Sequence, residues 1–277
     1  MSVFGGQVAW ITGASSGIGA ALARALHGEG AQLVLSGRNR EALAQVAADC
    51  GDALVLPLEA TDYAALPGAV ARAWDWAASR SGGIDILINN AGISQRSLAI
   101  DTELSVYQRI VDVDLMAPIA LTQAQLGRMA ARGNGRIVMI SSVAGKAGVP
   151  LRTGYCAAKF GLIGYADALR AEVAGLGLCV YVIAPGSIRT GVSRNALTAD
   201  GSPRGVSDPA IDNGTDPDLA ARAMLDAIAA GTREIVVAEG IEQWLAEQAR
   251  TPDAVFDRVA AFMAAGYAQR MVAEARQ

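Results

Sequence analysis

Two kinds of side chain are nearly missing from this 277-residue sequence. It has one histidine, His27, and two lysines, Lys146 and Lys159, among 23 basic residues. A Ser-His-Asp triad or a histidine-rich zinc site would have to use His27. That residue lies in a helical stretch, ALARALHGEG, with no cysteine or acidic cluster beside it in sequence, so it reads as a surface or helix-end residue and no metal site is expected. Cysteine is also scarce. Cys50, Cys156 and Cys179 form no CxxC pair, and an odd count argues against a disulfide framework, so a reducing, cytoplasmic location is expected. No apolar run reaches the length of a membrane span, and the N-terminus enters a strand without a basic region and apolar core, so neither a membrane anchor nor a targeting signal is expected. The net charge of −4 comes without a basic stripe, which excludes nucleic acid as an expected partner.

What is present is suited to a packed sheet with many tight turns: 52% hydrophobic residues and 31 glycines, in a length that fits one large domain. Strands are expected at residues 7–11, 32–36, 53–57, 84–88, 136–140, 178–183 and 234–238. Helices are expected between them, including 61–79, a long one over 102–132, one carrying Tyr155, and 216–230. This alternation implies a three-layer α/β fold, a doubly wound parallel sheet with helices on both faces. Residues 1–240 are read as that domain and 241–277 as a helical extension, interrupted at Pro252. An apolar stripe of Phe256, Val259, Met263, Tyr267 and Met271 would pack on the domain or on a neighbouring subunit. Residues 191–217, rich in glycine and proline, form the least regular segment and are expected to be a substrate loop.

The first strand runs into TGASSGIG, residues 12–19, and then a helix and a second strand. That is the dinucleotide-binding arrangement, in which glycines admit a pyrophosphate to the backbone and to a helix N-terminus. The second strand ends in Ser36-Gly37-Arg38-Asn39-Arg40, where no carboxylate would repel a 2′-phosphate and Arg38 is placed to bind one. NADP(H) is therefore expected over NAD(H). In Tyr155-Cys156-Ala157-Ala158-Lys159 the tyrosine and lysine share one helix face, so the ammonium can favour the ionised phenol. An unperturbed phenol titrates near about 10, and acid/base work is best done closer to the working pH. With nearly every other cation an arginine, a lysine at 159 points to a need for a compact charge. Ser142, upstream of this pair, offers a hydroxyl to hold a reacting oxygen.

Taken together, TGASSGIG, NNAG at residues 89–92, Ser142 with YCAAK, and PGSIRT at 185–190 resemble the short-chain dehydrogenase/reductase family, over roughly residues 6–238. The resemblance implies a Rossmann fold and interconversion of a small-molecule carbonyl and an alcohol. Ser142 would hold the substrate oxygen, Tyr155 would be the general acid/base, and Lys159 would lower the tyrosine's pKa and bind the nicotinamide ribose. It implies cofactor contacts at Gly13, Ser15, Ser16, Gly17, Ile18, Gly19, Arg38, Asn39, Glu59, Ala60, Asn90, Ala91, Gly92, Pro185, Gly186, Ile188 and Thr190. It also implies a homodimer or homotetramer. NALTADG, residues 195–201, is similar to a subgroup whose better-known members carry an N-terminal membrane anchor, which is not expected here.

Two positions depart from the family pattern. Asp114 stands where the family has a catalytic asparagine whose main-chain carbonyl holds a water leading to the lysine. Its side chain would either preserve that relay or add a charge that raises the proton affinity of the Tyr155–Lys159 site. Glu59 stands where an aspartate is usual, with little consequence expected. Arg96, Lys146, Arg152, Arg189 and Arg194 surround the proposed mouth. They suggest an anionic substrate such as an acyl thioester, although the preferred reading is that they are solvated loop charges. The competing function is a non-catalytic NADP-binding regulator, disfavoured because Ser142, Tyr155 and Lys159 are all present. A sugar-nucleotide epimerase would need a larger substrate domain and a different glycine turn.

Overall fold

A computed structural model describes residues 2–248 together with 261, 265, 266 and 270. The expected apolar stripe from Phe256 to Met271 lies outside the described residues. Seven strands form one wholly parallel sheet: β1 Val8–Thr12, β2 Gln32–Ser36, β3 Ala53–Val55, β4 Ile86–Asn89, β5 Gly135–Ile140, β6 Leu178–Pro185 and β7 Glu234–Val237. Their spatial order is β3-β2-β1-β4-β5-β6-β7, so the chain leaves one edge after β3 and restarts beside β1. That reversal opens a crevice at the carboxyl ends of the strands, where doubly wound sheets bind ligands.

Helices α1 Gly17–Gly28, α2 Arg40–Asp49, α3 Leu66–Ala78, α4 Leu104–Val111, α5 Ala117–Arg132, α6 Thr153–Val173, α7 Pro209–Asp212, α8 Pro217–Ala229 and α9 Gly240–Glu247 complete the described elements. Alternation along β1 sorts the core. Ala9 and Ile11 face α1 and α8 with Leu22, Leu26 and Met224, whereas Val8 and Trp10 face α3, α5 and α6 with Trp74, Leu121 and Leu162. All five β1 side chains are buried, which is why that strand reads as an unbroken apolar run. Asn39 caps α2 by accepting from the Ala42 N–H, and Asp216 caps α8 by accepting from Asp218.

The expected helix over 102–132 is three pieces. Between α4 and α5 the helical backbone continues but widens into a π-helical turn at Asp112–Met116, and Pro118, which has no N–H to donate, follows directly on it. The helix expected from residue 61 starts later, at Leu66, for a similar reason: Pro67 occupies its first turn. The 191–217 segment is held by regular bonding: Leu197 bridges both Gln95 and Pro203, Ile188 bridges Thr215, and α7 closes its far end. His27 lies exposed in the last turn of α1.

Candidate active site

The turns that leave the carboxyl ends of β1, β2, β3, β4, β5 and β6 converge on one cavity of about 680 Å³. The glycine turn lies at its floor. Gly13 and Gly17 both have positive φ, 64° and 54°, and a Cβ added at Gly13 would come within 2.8 Å of Ala91 Cα. At Gly19 an added Cβ would overlap the Gly13 carbonyl oxygen and lie 2.6 Å from the Asn90 amide nitrogen. Gly19 therefore lets α1 pack tightly under the turn and is not itself in the cavity wall. Nor is Asn39, whose side chain is the α2 cap. Ser16, at the N-cap of α1, makes no side-chain capping bond, so the first-turn N–H groups face the cavity free of a side-chain acceptor.

Asn90 and Thr12 hold this turn together. The Asn90 amide donates to the Thr12 carbonyl at 2.9 Å, and the Thr12 hydroxyl accepts from the backbone N–H groups of Asn90 and Ala91, each at 3.0 Å. Thr12 was not singled out from sequence, because a threonine ending a strand carries no signal of its own. At the far end of the cavity Arg38 is two-thirds exposed, with its Nε 4.0 Å from the Glu59 carboxylate. Glu59 also accepts from the Thr61 hydroxyl at 3.3 Å. The uncapped helix start, the glycine cradle and the exposed guanidinium fit the pyrophosphate and the 2′-phosphate of a dinucleotide.

The polar residues at the other end come from three elements. Ser142 leaves β5 and starts a short 3₁₀ turn, Val143–Gly145, accepting from the Ala144 N–H at 3.1 Å while its hydroxyl faces the Pro185 carbonyl at 3.4 Å. Tyr155 and Lys159 stand one turn apart on α6, with the ammonium 5.6 Å from the phenol ring centre. Cys156, between them, is buried facing Val149, and burial pushes its thiol up in pKa, so it is an inert packing residue.

Lys159 is buried and donates to the Ile140 carbonyl at 3.0 Å. Its second partner is the side chain of Asp114, whose Oδ2 lies 3.2 Å away. The π-helical turn directs Asp114 inward, and its Oδ1 accepts from the Ile93 N–H at 2.8 Å. The Asp114 carboxylate thus stands where its charge can act on the ammonium. Burial is the largest influence on both groups: it lifts the carboxyl of Asp114 above the usual range against the pull of Lys159. For Lys159 burial works downward, but the charges of Asp114 and Tyr155 outweigh it and hold the ammonium's pKa above its ordinary value.

The basic rim differs from the sequence expectation. Arg96 is not solvated: its side chain is only 4% exposed and pairs with Asp208 at 2.5 Å. Arg152 reaches the same carboxylate at 3.3 Å, Arg204 joins it, Lys146 pairs with Glu234 and Arg189 with Asp216. Arg194 is exposed. Arg96 and Arg152 fasten the 191–208 segment to its surroundings through Asp208, an acid far from both in the chain. Among the described residues no group of three histidine, cysteine or acidic side chains is arranged to hold a metal, and no helix is long and apolar enough to cross a membrane.

Comparison with known proteins points to one family. The family model described as short chain dehydrogenase matches residues 7–200. The chain is 41% identical over 238 residues to dehydrogenase/reductase SDR family member 7B of Danio rerio, covering 84% of this chain and 77% of that one. It is 40% identical over 242 residues to an SDR family protein 7-like dehydrogenase/reductase of Anopheles gambiae, covering 84% and 75%. Among solved structures, a short-chain dehydrogenase from Streptomyces avermitilis superposes with TM-score 0.75 at 27% identity, over 95% of this chain and 97% of that one. A short chain dehydrogenase from Burkholderia cenocepacia J2315 in complex with NADP superposes with TM-score 0.76 at 25% identity, over 94% and 99%.

Proposed function

The chain belongs to the short-chain dehydrogenase family of oxidoreductases, and from that premise we propose that it is an NADP(H)-dependent enzyme interconverting a carbonyl and a secondary alcohol. The observation that carries this reading is the assembly of Ser142, Tyr155 and Lys159 on the wall of the cavity whose other end holds the glycine turn and Arg38. Gly13, Ser15, Ser16, Gly17 and Ile18 would hold the pyrophosphate, Arg38 the 2′-phosphate, and Pro185, Gly186, Ile188 and Thr190 the nicotinamide side. When bound, the dinucleotide supplies or accepts the hydride.

The protein's own part is to move one proton and to hold one oxygen. In the direction of reduction the Ser142 hydroxyl turns from the Pro185 carbonyl to donate to the substrate oxygen, and Tyr155 gives that oxygen its phenolic proton. Lys159, fixed by Ile140 and Asp114, keeps a full positive charge beside the resulting tyrosinate. In oxidation the same groups run in reverse, with tyrosinate as base. Arg38 would exchange Glu59, 4.0 Å from its Nε, for the phosphate. With four of the five rim cations held by acids, we read the substrate as an uncharged carbonyl compound. The same premise implies a homo-oligomer joined across α4, α5 and α6.

The test is a fluorescence titration of the purified protein with NADPH and NADH, followed by turnover against a panel of ketones, aldehydes and oxoacyl thioesters, with Tyr155→Phe as control. Tighter NADPH binding, and turnover lost in the variant, is the expected result. Binding with no turnover on any carbonyl, or turnover that survives Tyr155→Phe, would overturn it.

A further inference from the structure

The loop Pro185–Thr190 is fixed on two sides, and both of them lie beyond residue 200, where the family model's match ends. On one side Ser187 and Thr215 face each other: the Ser187 carbonyl accepts from the Thr215 N–H at 2.9 Å, and the Arg189 N–H donates to the Thr215 carbonyl at 3.0 Å. On the other side stands Glu242, in α9. Its Oε2 accepts the Ser187 N–H at 2.6 Å and its Oε1 accepts the Ser187 hydroxyl at 2.8 Å. The fit is close: a Cβ added at Gly186 would overlap Glu242 Oε2 and lie 2.9 Å from Ala238 Cβ. Gly186 also donates to the Val237 carbonyl at 3.0 Å. Helix α9 packs as well against the Val143–Gly145 turn that follows Ser142. One carboxylate thus holds Ser187 by its amide and its hydroxyl, between Gly186 and Ile188, which both line the cavity.

We propose that Glu242 is a positioning residue for the cofactor: by holding Ser187 it sets the Gly186–Ile188 backbone that meets the nicotinamide end of NADP(H), and it ties that end to the C-terminal helix. This rests on the cofactor reading given above. Two charge-assisted bonds to Ser187 add to the backbone bonds that the loop makes with Val237 and Thr215, and are strong enough to fix its conformation between them. The role is confined to one end of the ligand, because Glu242 touches neither the glycine turn nor Arg38.

The confinement gives the test. Binding of NADPH and of 2′-phospho-ADP-ribose, which lacks the nicotinamide, is measured by calorimetry for wild type, Glu242→Ala, Glu242→Gln and Ser187→Ala. NADPH is expected to weaken about tenfold in Glu242→Ala, the loss that one to two such bonds represent. The fragment should stay within about twofold, and Glu242→Gln, which keeps one acceptor, should lie between wild type and Glu242→Ala. Should Glu242→Ala fail to fold, Ser187→Ala removes the hydroxyl bond alone and should show the same split between the two ligands to a smaller degree. Equal weakening of both ligands, or unchanged NADPH binding in a folded variant, overturns the proposal. Wild-type protein that binds neither ligand overturns the cofactor reading itself, and the proposal with it.

Discussion

Asp114→Asn removes a charge from the Lys159 site and changes almost nothing else. The amide is isosteric, and its oxygen can still accept the Ile93 N–H that Asp114 Oδ1 accepts at 2.8 Å. What is lost is the carboxylate 3.2 Å from the buried ammonium. At an effective dielectric constant of about 20, two unit charges at that separation attract by roughly 5 kcal/mol before any desolvation is counted. Without that anion the site holds a proton less tightly, so the base form needed for alcohol oxidation emerges at lower pH. The assay is kcat/KM for oxidation against pH, in which activity rises as the base form appears. The rising limb of Asp114→Asn is expected to move toward acid by at least about 0.5 pH unit, a displacement that needs only about 0.7 kcal/mol. Screening would have to cancel most of the raw attraction to hide it, and the side chains of Lys159 and Asp114 are only 5% and 0% exposed. The same two groups also make stability depend on pH, in different ranges, so denaturant unfolding is followed beside the kinetics. A group whose folded pKa is raised stabilises below its unfolded value and loses that contribution as pH rises through the folded one. For Lys159 this window lies above the ordinary lysine range, and for Asp114 it begins at the ordinary carboxylate value and runs upward. Lys159 therefore gives no change in stability across neutral pH to mimic the kinetic limb. A limb that stays in place refutes the reasoning: the side chain of Asp114 would then have no electrostatic part in the chemistry.

Three further outcomes are expected. Arg38→Ala should weaken NADPH by roughly tenfold to thirtyfold, the worth of a charged hydrogen bond, while leaving NADH within about twofold; equal loss of both would remove Arg38 from 2′-phosphate recognition. Burial works against the Asp208 carboxylate, yet Arg96 and Arg204 hold its pKa down at about 2. Its contribution to stability is thus present above the ordinary carboxylate value and lost as pH falls toward about 2. Limited proteolysis should find the 191–208 segment protected at neutral pH and cut in acid, and cut at both in Asp208→Asn. Asp85 sits at the opposite end of the sheet, accepting from the Val8 N–H and from Arg132, each at 2.8 Å. Asp85→Ala should cost about 3 kcal/mol in denaturant unfolding, as a broken buried pair does, with the KM for NADPH unchanged.

The parts of this fold that repeat a local pattern were legible in the sequence, and the parts made by distant contacts were not. Every expected strand is found within two or three residues of its place, because buried parallel strands write themselves as apolar runs. The glycine turn and the Tyr155–Lys159 pair stand out in sequence because each spacing has a geometric meaning within one or two turns of chain, whereas Ser142, on another element, does not. The π-helical turn at Asp112–Met116 could not be read, since no residue type in that stretch marks where a helical ladder widens. Arg96 and Asp208 are 112 residues apart, and Ser187 and Glu242 are 55 apart. No propensity links such pairs, so arginines that end in buried ion pairs looked in sequence like solvated ones.

The two lysines show how far a compositional argument reaches. Lys146 is paired with Glu234 near the surface, where a guanidinium would serve as well, so its being lysine is not explained by its contacts. Lys159 is different. Its side chain is 5% exposed, its nitrogen donates to Ile140 at 3.0 Å and faces Asp114 at 3.2 Å, and the phenol ring of Tyr155 lies to one side. The backbone of Gly92 closes the slot: a Cβ there would lie 3.1 Å from Asp114 Oδ2 and 3.4 Å from the Lys159 nitrogen. A planar fork with five N–H groups has no room in that slot and would leave donors buried without acceptors, whereas a compact ammonium fills it. Scarcity of lysine drew notice to Lys159, and the packing supplies the physical reason why a lysine fits there. The site needs a point charge, and the glycine, the aspartate and the lysine fit together as one arrangement.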